Sequence, residues 1–244
     1  MSISDREARW RETLLGISSL LVVRWIHGLL FWGVCMDFSK LYDMGAAGER
    51  TALHVTPRDD VDDPIAIYRG ESRPQRPIVF DFMKGASGSI ARDLVSTGLT
   101  PLLLISNRVV ELLRDFTGWT TYPVELYGKN GELIPGYNGL AVTGRCGPID
   151  DGQSKRRICA PPVPQGRWSR KWFGLYFDQD SWDGADIFVP EGTGITVVVE
   201  RVKEVMERAL VTNVLFRPLT ECRNASIPAE FLSGDQPRDG GVGK

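Results

Sequence analysis

Apolar and polar residues alternate in short runs over most of the chain, and turn residues separate these runs, which is typical of β-strands. The runs richest in β-branched and aromatic side chains predict strands at residues 51–55, 64–68, 78–83, 102–105, 119–127, 138–143, 172–178, 186–189, 196–199 and 214–219. Asn130-Gly131 predicts a tight turn after one of them. Residues 144–170, rich in Pro, Gly, Arg and Lys, predict a long loop.

In two stretches the apolar residues recur at the spacing of a helix rather than that of a strand. The first follows a possible cap at Ser106 or Asn107, and Gly118 is placed to end it. The second follows the strand at residues 196–199. Apolar side chains recur at helical spacing in both, at Val109, Leu112, Leu113 and Phe116 and at Val202, Val205, Met206 and Ala209. Each helix is therefore predicted to place one face against a sheet.

The two helical stretches are similar to each other. RVVELL and RVKEVM lie 93 positions apart, and each has a buried strand before it and an aromatic-to-proline strand after it. This predicts an α+β fold, a mostly antiparallel sheet with two duplicated strand-helix-strand units plus an N-terminal apolar helix. We expect an apolar N-terminal helix or extension at residues 1–36, the α+β domain at 37–220 and a disordered tail at 221–244.

Residues 14–36 form an almost continuous apolar run after three arginines. Its length is that of a membrane span, but Arg24 and His27 lie near its middle, where a charge opposes insertion. Three interpretations stay open: a buried or partner-facing helix, a membrane anchor, or a mis-assigned start codon. The first and third agree with a cytoplasmic protein, and the second with an inner-membrane anchor.

Composition is that of a globular protein, with 42% apolar and 25% charged residues. The net charge of −2 lacks the basic excess of a general nucleic-acid binder, so we expect no nucleic-acid partner. The four cysteines contain no CxxC pair, which predicts unpaired thiols, with a Cys146–Cys159 bridge as the alternative.

The chain carries no recognisable catalytic, cofactor or metal motif. A Walker loop and an HExxH are absent, and the GxG at Gly192 lacks the helix of a dinucleotide site. The acidic segment from Asp178 has Trp182 and Val189 where a calcium loop needs oxygen ligands. His27 and His54 have no companion motif. We therefore predict no catalytic residue, no cofactor and no metal, and a protein that is not an enzyme; a hydrolase of unrecognised type using dispersed carboxylates is an alternative.

The sequence does favour a surface that binds a partner. Basic residues and tryptophans are concentrated between residues 155 and 172. Basic side chains attract an acidic partner, and tryptophans are frequent interface anchors. The predicted partner-binding residues are Lys155, Arg156, Arg157, Trp168 and Trp172.

The order of the motifs resembles the immunity-protein family of bacterial polymorphic toxin systems that a Myxococcus member typifies. The resemblance covers residues 77–219 and is carried by LLLISNRVVELL, YPVEL, IDDGQSKRRI, GADIFVPEG and VVVERVKEVME followed by NVLFRPL. One departure is Glu200, which stands where the pattern has serine and weakens the cap of the second helix.

The resemblance implies a cytoplasmic protein that binds and neutralises a cognate toxin without catalysis or a cofactor. It assigns no residue to the toxin contact. A membrane-anchored protein of another role, attached through residues 14–36, is the competing hypothesis from a different class.

Overall fold

A computed structural model describes residues 37–159, 169–221 and 223–226, with only the backbone of 156–159, 169–171 and 223–226. The helices are α1 (Pro64–Tyr68), α2 (Asn107–Leu112) and α3 (Glu200–Arg208). Short 3₁₀ helices lie at Phe38–Lys40, Gln179–Ser181 and Leu219–Glu221. The strands are β1 (Leu41–Ala46), β2 (His54–Pro57), β3 (Ile78–Phe82), β4 (Leu94–Thr97), β5 (Leu103–Ser106), β6 (Trp119–Tyr127), β7 (Leu133–Ile134), β8 (Tyr137–Val142), β9 (Gly144–Pro148), β10 (Lys155–Cys159), β11 (Ser169–Phe173), β12 (Ile187–Glu191), β13 (Thr196–Val199), β14 (Val214–Pro218) and β15 (Arg223–Ser226).

Six strands close into a β-barrel in the order β3-β2-β4-β5-β8-β6. The closing pair is β3 with β6, which run parallel and align Ile78 with Val124 and Phe80 with Leu126. Closure satisfies the backbone groups that an open sheet would leave unpaired at its edges. The two-residue strand β7 extends the array beyond β6.

A second array has the order β14-β1-β13-β12-β9. Residues 175–177 lie between its two edge strands. The amide of Leu175 donates to the carbonyl of Leu219 at 2.8 Å, and Phe177 forms an antiparallel bridge with Ile149. This irregular segment occupies the position that β3 has in the barrel. A separate three-stranded sheet has the order β10-β11-β15.

The two arrays are related by an internal repeat of the same strand registers, and each array contains one strand from the opposite half of the chain. In the first, β4 and β5 align Leu94 with Ile105; in the second, β12 and β13 align Ile187 with Val198, 93 positions later. The first half of the fold, β1–β7, contributes β1 to the centre of the second array, between β13 and β14. The second half, β8–β14, contributes β8 to the first array, between β5 and β6.

Asp93 joins the halves at the start of β4. Its carboxylate accepts hydrogen bonds from the amide and the hydroxyl of Thr212, both at 2.9 Å. Arg108 of α2 donates to the same oxygen at 2.8 Å, and Ser106 donates to the other oxygen at 2.9 Å. The side chain is 11% exposed. A carboxylate that is this buried is stable only with such charge-assisted partners.

Asp186 makes the equivalent contact at the start of β12. It accepts from the amide and hydroxyl of Thr117 at 2.9 and 3.0 Å, and Arg201 of α3 donates to it at 2.6 Å. Asp186 lies 93 positions after Asp93, so each half supplies one carboxylate and the opposite half supplies the threonine. The two halves are therefore tied together by two equivalent sets of hydrogen bonds.

The interior contains two buried tyrosines with different surroundings. Tyr122 is 2% exposed, and its ring lies across Gly139, where an added Cβ would come within 2.0 Å of it. Its hydroxyl has no hydrogen-bond partner among the described residues. Tyr68 is 1% exposed, and its hydroxyl is hydrogen-bonded to Thr196 at 2.8 Å. Burial raises the pKa of both phenols.

The predicted fold class is wrong. The structure is mostly β, with 39% strand and 17% helix and a closed six-stranded barrel, rather than α+β with two strand-helix-strand units on a mostly antiparallel sheet. The described helices α1–α3 have only five, six and nine residues. Helices this short cannot cover a sheet face, so the first sheet buries its face by closing on itself. The predicted N-terminal helix lies outside the described residues.

Two local predictions are also wrong. Residues 64–68 form helix α1 instead of a strand, because the Asp63 carboxylate caps the amide of Ala66 at 2.9 Å and Pro64 suits the first turn. Residues 144–170 are not one long loop, since they contain β9, β10 and the start of β11.

Candidate functional site

Positive charge is concentrated on the sheet formed by β10, β11 and β15, which we name the basic sheet. Its strands read KRRIC, SRKWF and RNAS. They contain six basic residues and no acidic residue, in a chain whose net charge is −2. The six are Lys155, Arg156, Arg157, Arg170, Lys171 and Arg223.

The register divides the basic sheet into two faces. Arg156 is paired with Trp172, and Arg157 is paired with Lys171. Paired residues share a face and successive residues alternate between faces. Trp172 is 4% exposed and Lys155 is exposed, which identifies the faces. The inner face carries positions 156 and 172, and the outer face carries positions 155, 157, 171 and 173.

A hydrogen-bonded turn fixes the start of β10. The Asp150 carboxylate accepts from the Gly152 amide at 2.7 Å and from the amide and side chain of Gln153 at 3.2 and 2.7 Å. The hydrogen bond from the Gln153 side chain is the main reason that the pKa of Asp150 is lowered. Next to this turn, the Ser154 hydroxyl accepts from the Tyr176 amide at 2.9 Å. The strand therefore leaves the second array from a defined position.

Aromatic side chains pack around the segment that follows β11. Phe177 is 2% exposed, and its ring centroid lies 5.0 Å from that of Phe38 and 5.5 Å from that of Phe188. Trp182 lies 5.6 Å from Phe188 on the same measure. Edge-to-face pairs at these separations stabilise a core beyond their buried area. This packing holds the segment after β11 on the second array.

The predicted binding residues occupy different parts of the basic sheet. Lys155 and Arg157 lie on its outer face, and Arg156 on its inner face. Trp172 is buried, and its indole N–H has no hydrogen-bond partner among the described residues. Trp168 lies outside the described residues. Trp172 therefore anchors the sheet, and Lys155, which is exposed, is accessible to a partner.

The predicted set omitted Arg170, Lys171 and Arg223. Arg170 and Lys171 precede Trp172 in β11, and Arg223 of β15 pairs with Phe173. The aromatic pair Trp172-Phe173 in SRKWF was the available signal for a strand that also carries basic residues. No local signal brings the third strand, some fifty residues further along the chain, beside it.

The backbone register pairs position 157, an arginine, with position 171, a lysine. An arginine can hold a carboxylate through two hydrogen bonds, and a lysine adds a point charge. The composition of these strands therefore favours the binding of anionic groups.

Other groups that could carry chemistry are dispersed. In the part of the chain that the structure describes, no three His, Cys, Asp or Glu side chains are grouped to hold a metal ion. His54 lies in β2 opposite Ser96 of β4. Cys146 is a free, buried thiol, so the alternative bridge to Cys159 is not formed, and burial raises its pKa.

Residues 14–36, on which the membrane hypothesis depends, lie outside the described residues. Among the helices that are described, none has the length and apolar character needed to cross a bilayer.

The candidate site rests on the geometry of the basic sheet. No protein-family model matches the chain, and no curated protein is significantly similar to it.

Proposed function

We propose that this chain is a non-catalytic immunity protein that binds and neutralises a cognate bacterial toxin in the cytoplasm, without a cofactor. Two lines of argument support the proposal. The first is the ordered set of motifs over residues 77–219, which resembles an immunity-protein family. The second is the basic sheet, and this is the observation that carries the proposal.

The basic sheet is attached to a scaffold that is complete without it. The barrel is closed by its own strand pairing, and residues 175–177 bridge the edges of the second array. β10 pairs with β11 and β11 pairs with β15, outside both arrays. A charged sheet on a rigid scaffold is the form expected of a binding surface, because a preorganised surface loses little entropy on association.

The buried carboxylates argue for a structural role rather than for catalysis. Asp93 and Asp186 each accept hydrogen bonds from a threonine amide and hydroxyl and from an arginine. A carboxylate that is saturated in this way is a poor general base, since its lone pairs are already occupied. Their contribution is to hold the two halves of the fold together.

Neutralisation would follow from occlusion of the toxin's active site or of a surface beside it. A stable complex of this kind buries on the order of 1,600 Å² in total. Six basic residues on one sheet would also speed association with an acidic partner through electrostatic steering.

The test is co-expression with the product of the neighbouring gene, scoring growth. We expect the gene product to arrest growth alone and this chain to restore it. Arrest that continues despite accumulation of folded chain would contradict the proposal.

A further inference from the structure

We infer that Asn130, in the turn between β6 and β7, is a site of spontaneous deamidation, and that the fold protects Asn138, which also precedes a glycine. This inference goes beyond the proposed function and does not depend on it. The chain contains two Asn-Gly pairs, at residues 130–131 and 138–139. The dipeptide is the same in both places, so it is the structure that distinguishes the two sites.

The reaction is an intramolecular attack within the Asn-Gly pair. The backbone nitrogen of the glycine loses its proton and bonds to Cγ of the asparagine side chain, and the side-chain nitrogen takes up a proton and leaves as ammonia. Water then opens the five-membered succinimide at one of its two carbonyls, which gives aspartate or isoaspartate. No oxidant or reductant takes part. Glycine favours the attack, because it has no side chain to hinder the backbone rotation that brings the two atoms together.

Asn130 and Gly131 have room for this rotation. Both residues are exposed, and a Cβ built on Gly131 would meet no atom within 4 Å. Two hydrogen bonds order the turn. The Gly131 amide donates to the Gly128 carbonyl at 3.0 Å, and the Asn130 amide donates to the Glu132 carboxylate at 2.9 Å. Since both donors are exposed, water can replace these bonds at a small cost in free energy.

Asn138 and Gly139 lie inside strand β8, which is paired on both sides. Gly139 is aligned with Leu104 of β5 and with Tyr122 of β6. A Cβ on Gly139 would lie 2.0 Å from the Tyr122 ring, so the backbone there cannot rotate without displacing a buried aromatic side chain. The Asn138 side chain is itself held, because its nitrogen donates to the side-chain oxygen of Asn107 at 2.8 Å. Reaction at Asn138 therefore requires local opening of β8.

The product carries a new negative charge next to Glu132, whose carboxylate already lies against the turn. Isoaspartate also lengthens the backbone path by one carbon. The barrel is closed by the pairing of β3 with β6, and β7 beyond it has two residues. The change is therefore confined to the turn between β6 and β7, and the reacted chain keeps its barrel.

Peptide mapping by mass spectrometry tests the assignment on the full chain, which is incubated folded in mildly alkaline buffer and, in parallel, in concentrated urea. Cleavage after Glu132 separates the two asparagines. In the folded chain we expect the peptide with Asn130 to gain the mass difference between an amide and a carboxyl at least about tenfold faster than the peptide with Asn138. In urea the two peptides should react at similar rates.

Asn130→Gln is the matched control, because its longer side chain would have to close a less favourable six-membered ring. It should abolish the fast reaction and leave the rate at Asn138 unchanged. Equal rates at the two asparagines of the folded wild type would overturn the inference. So would reaction of Asn130 in urea alone, since the hydrogen bonds of the turn would then prevent the attack. A slow reaction at Asn138 in urea as well would overturn the assignment of its protection to the fold.

Discussion

At the scale of single residues, two buried tyrosines show that a buried hydroxyl stabilises or destabilises the fold according to whether it has a hydrogen-bond partner. The hydroxyl of Tyr68 is hydrogen-bonded to Thr196, whereas that of Tyr122 has no partner among the described residues. Both rings are almost fully buried. A buried hydroxyl without a partner destabilises the folded state, because it loses its bonds to water.

The two phenylalanine substitutions should therefore act in opposite directions. We expect Tyr122→Phe to raise the free energy of unfolding by up to about 1 kcal/mol, and Tyr68→Phe to lower it by about 0.5–1.5 kcal/mol. Urea denaturation of both variants measures the difference. A loss of stability in Tyr122→Phe as large as that in Tyr68→Phe would show that the Tyr122 hydroxyl is bonded.

Asp93 should make stability depend on pH. Burial raises the pKa of its carboxyl, but hydrogen bonds from Thr212 and Ser106 and the charge of Arg108 outweigh that effect, so the net shift is downward. A lowered folded-state pKa gives stability that is present above the unfolded-state pKa of about 3.9 and is lost as the pH falls below it.

Replacing Asp93 with Asn tests this dependence. We expect the variant to be less stable than the wild type at pH 7, and the difference to shrink as the pH falls below about 4. Denaturant titrations across that range measure it. A difference that stays constant with pH would mean that the Asp93 charge adds nothing to the fold.

At the scale of elements, the helices that follow β5 and β13 are capped differently. The Ser106 hydroxyl accepts from the Val109 amide at 3.4 Å and donates to Asp93, whereas Val199 gives α3 no side-chain cap. The cap position is Val199, however, and Glu200, which the sequence predicted at that position, is the first residue of α3. α2 has six residues against nine in α3, so it has fewer internal bonds to offset the loss of a cap.

Ser106→Ala should destabilise the protein by about 0.5–2 kcal/mol, because it removes the cap and one hydrogen bond to Asp93. Ser72→Ala, at an exposed position, is the matched control. Thermal unfolding of the two variants provides the comparison. Equal melting temperatures would indicate that the tertiary contacts of α2 hold it without the cap.

Local pattern predicted many of the elements but not how they assemble. The expected strands at residues 119–127 and 196–199 agree with β6 and β13, because their β-branched and aromatic runs are bounded by turn signals. The sequence predicts a loop where β10 lies, since KRRIC begins with three charged residues and has no alternation of apolar and polar positions. It predicts a strand where α1 lies, because the apolar residues 65–68 favour a strand and only the preceding Asp-Pro indicates a helix start.

Barrel closure and strand exchange had no local signal. The β3–β6 pair joins residues more than forty positions apart, and β1 pairs with strands near the other end of the chain. Such pairings depend on the complete set of registers rather than on any one segment. The outer face of the basic sheet depends on the same information, so sequence predicted its residues only in part.

At the scale of the whole molecule, the two arrays are joined by side-chain contacts rather than by shared strands. The Asp93–Thr212 and Asp186–Thr117 contacts cross between them, and one hydrophobic core cluster contains residues of both arrays. Unfolding either array would remove these contacts from the other. Cooperative unfolding of a single unit is the expected consequence.

Hydrogen exchange read by mass spectrometry tests that cooperativity. Peptides containing β1 and β8 should open with the same free energy and the same dependence on denaturant. One array exchanging at clearly lower denaturant than the other would contradict the interdependence.

We propose that this protein acts by binding a toxin, and titration calorimetry of the full chain with the purified product of the neighbouring gene tests this most directly. We expect a one-to-one complex with a dissociation constant of about 10⁻⁸ M or tighter, weakened by salt because basic residues contribute to it. The absence of heat and of a complex on size exclusion, with both proteins folded, would contradict the account.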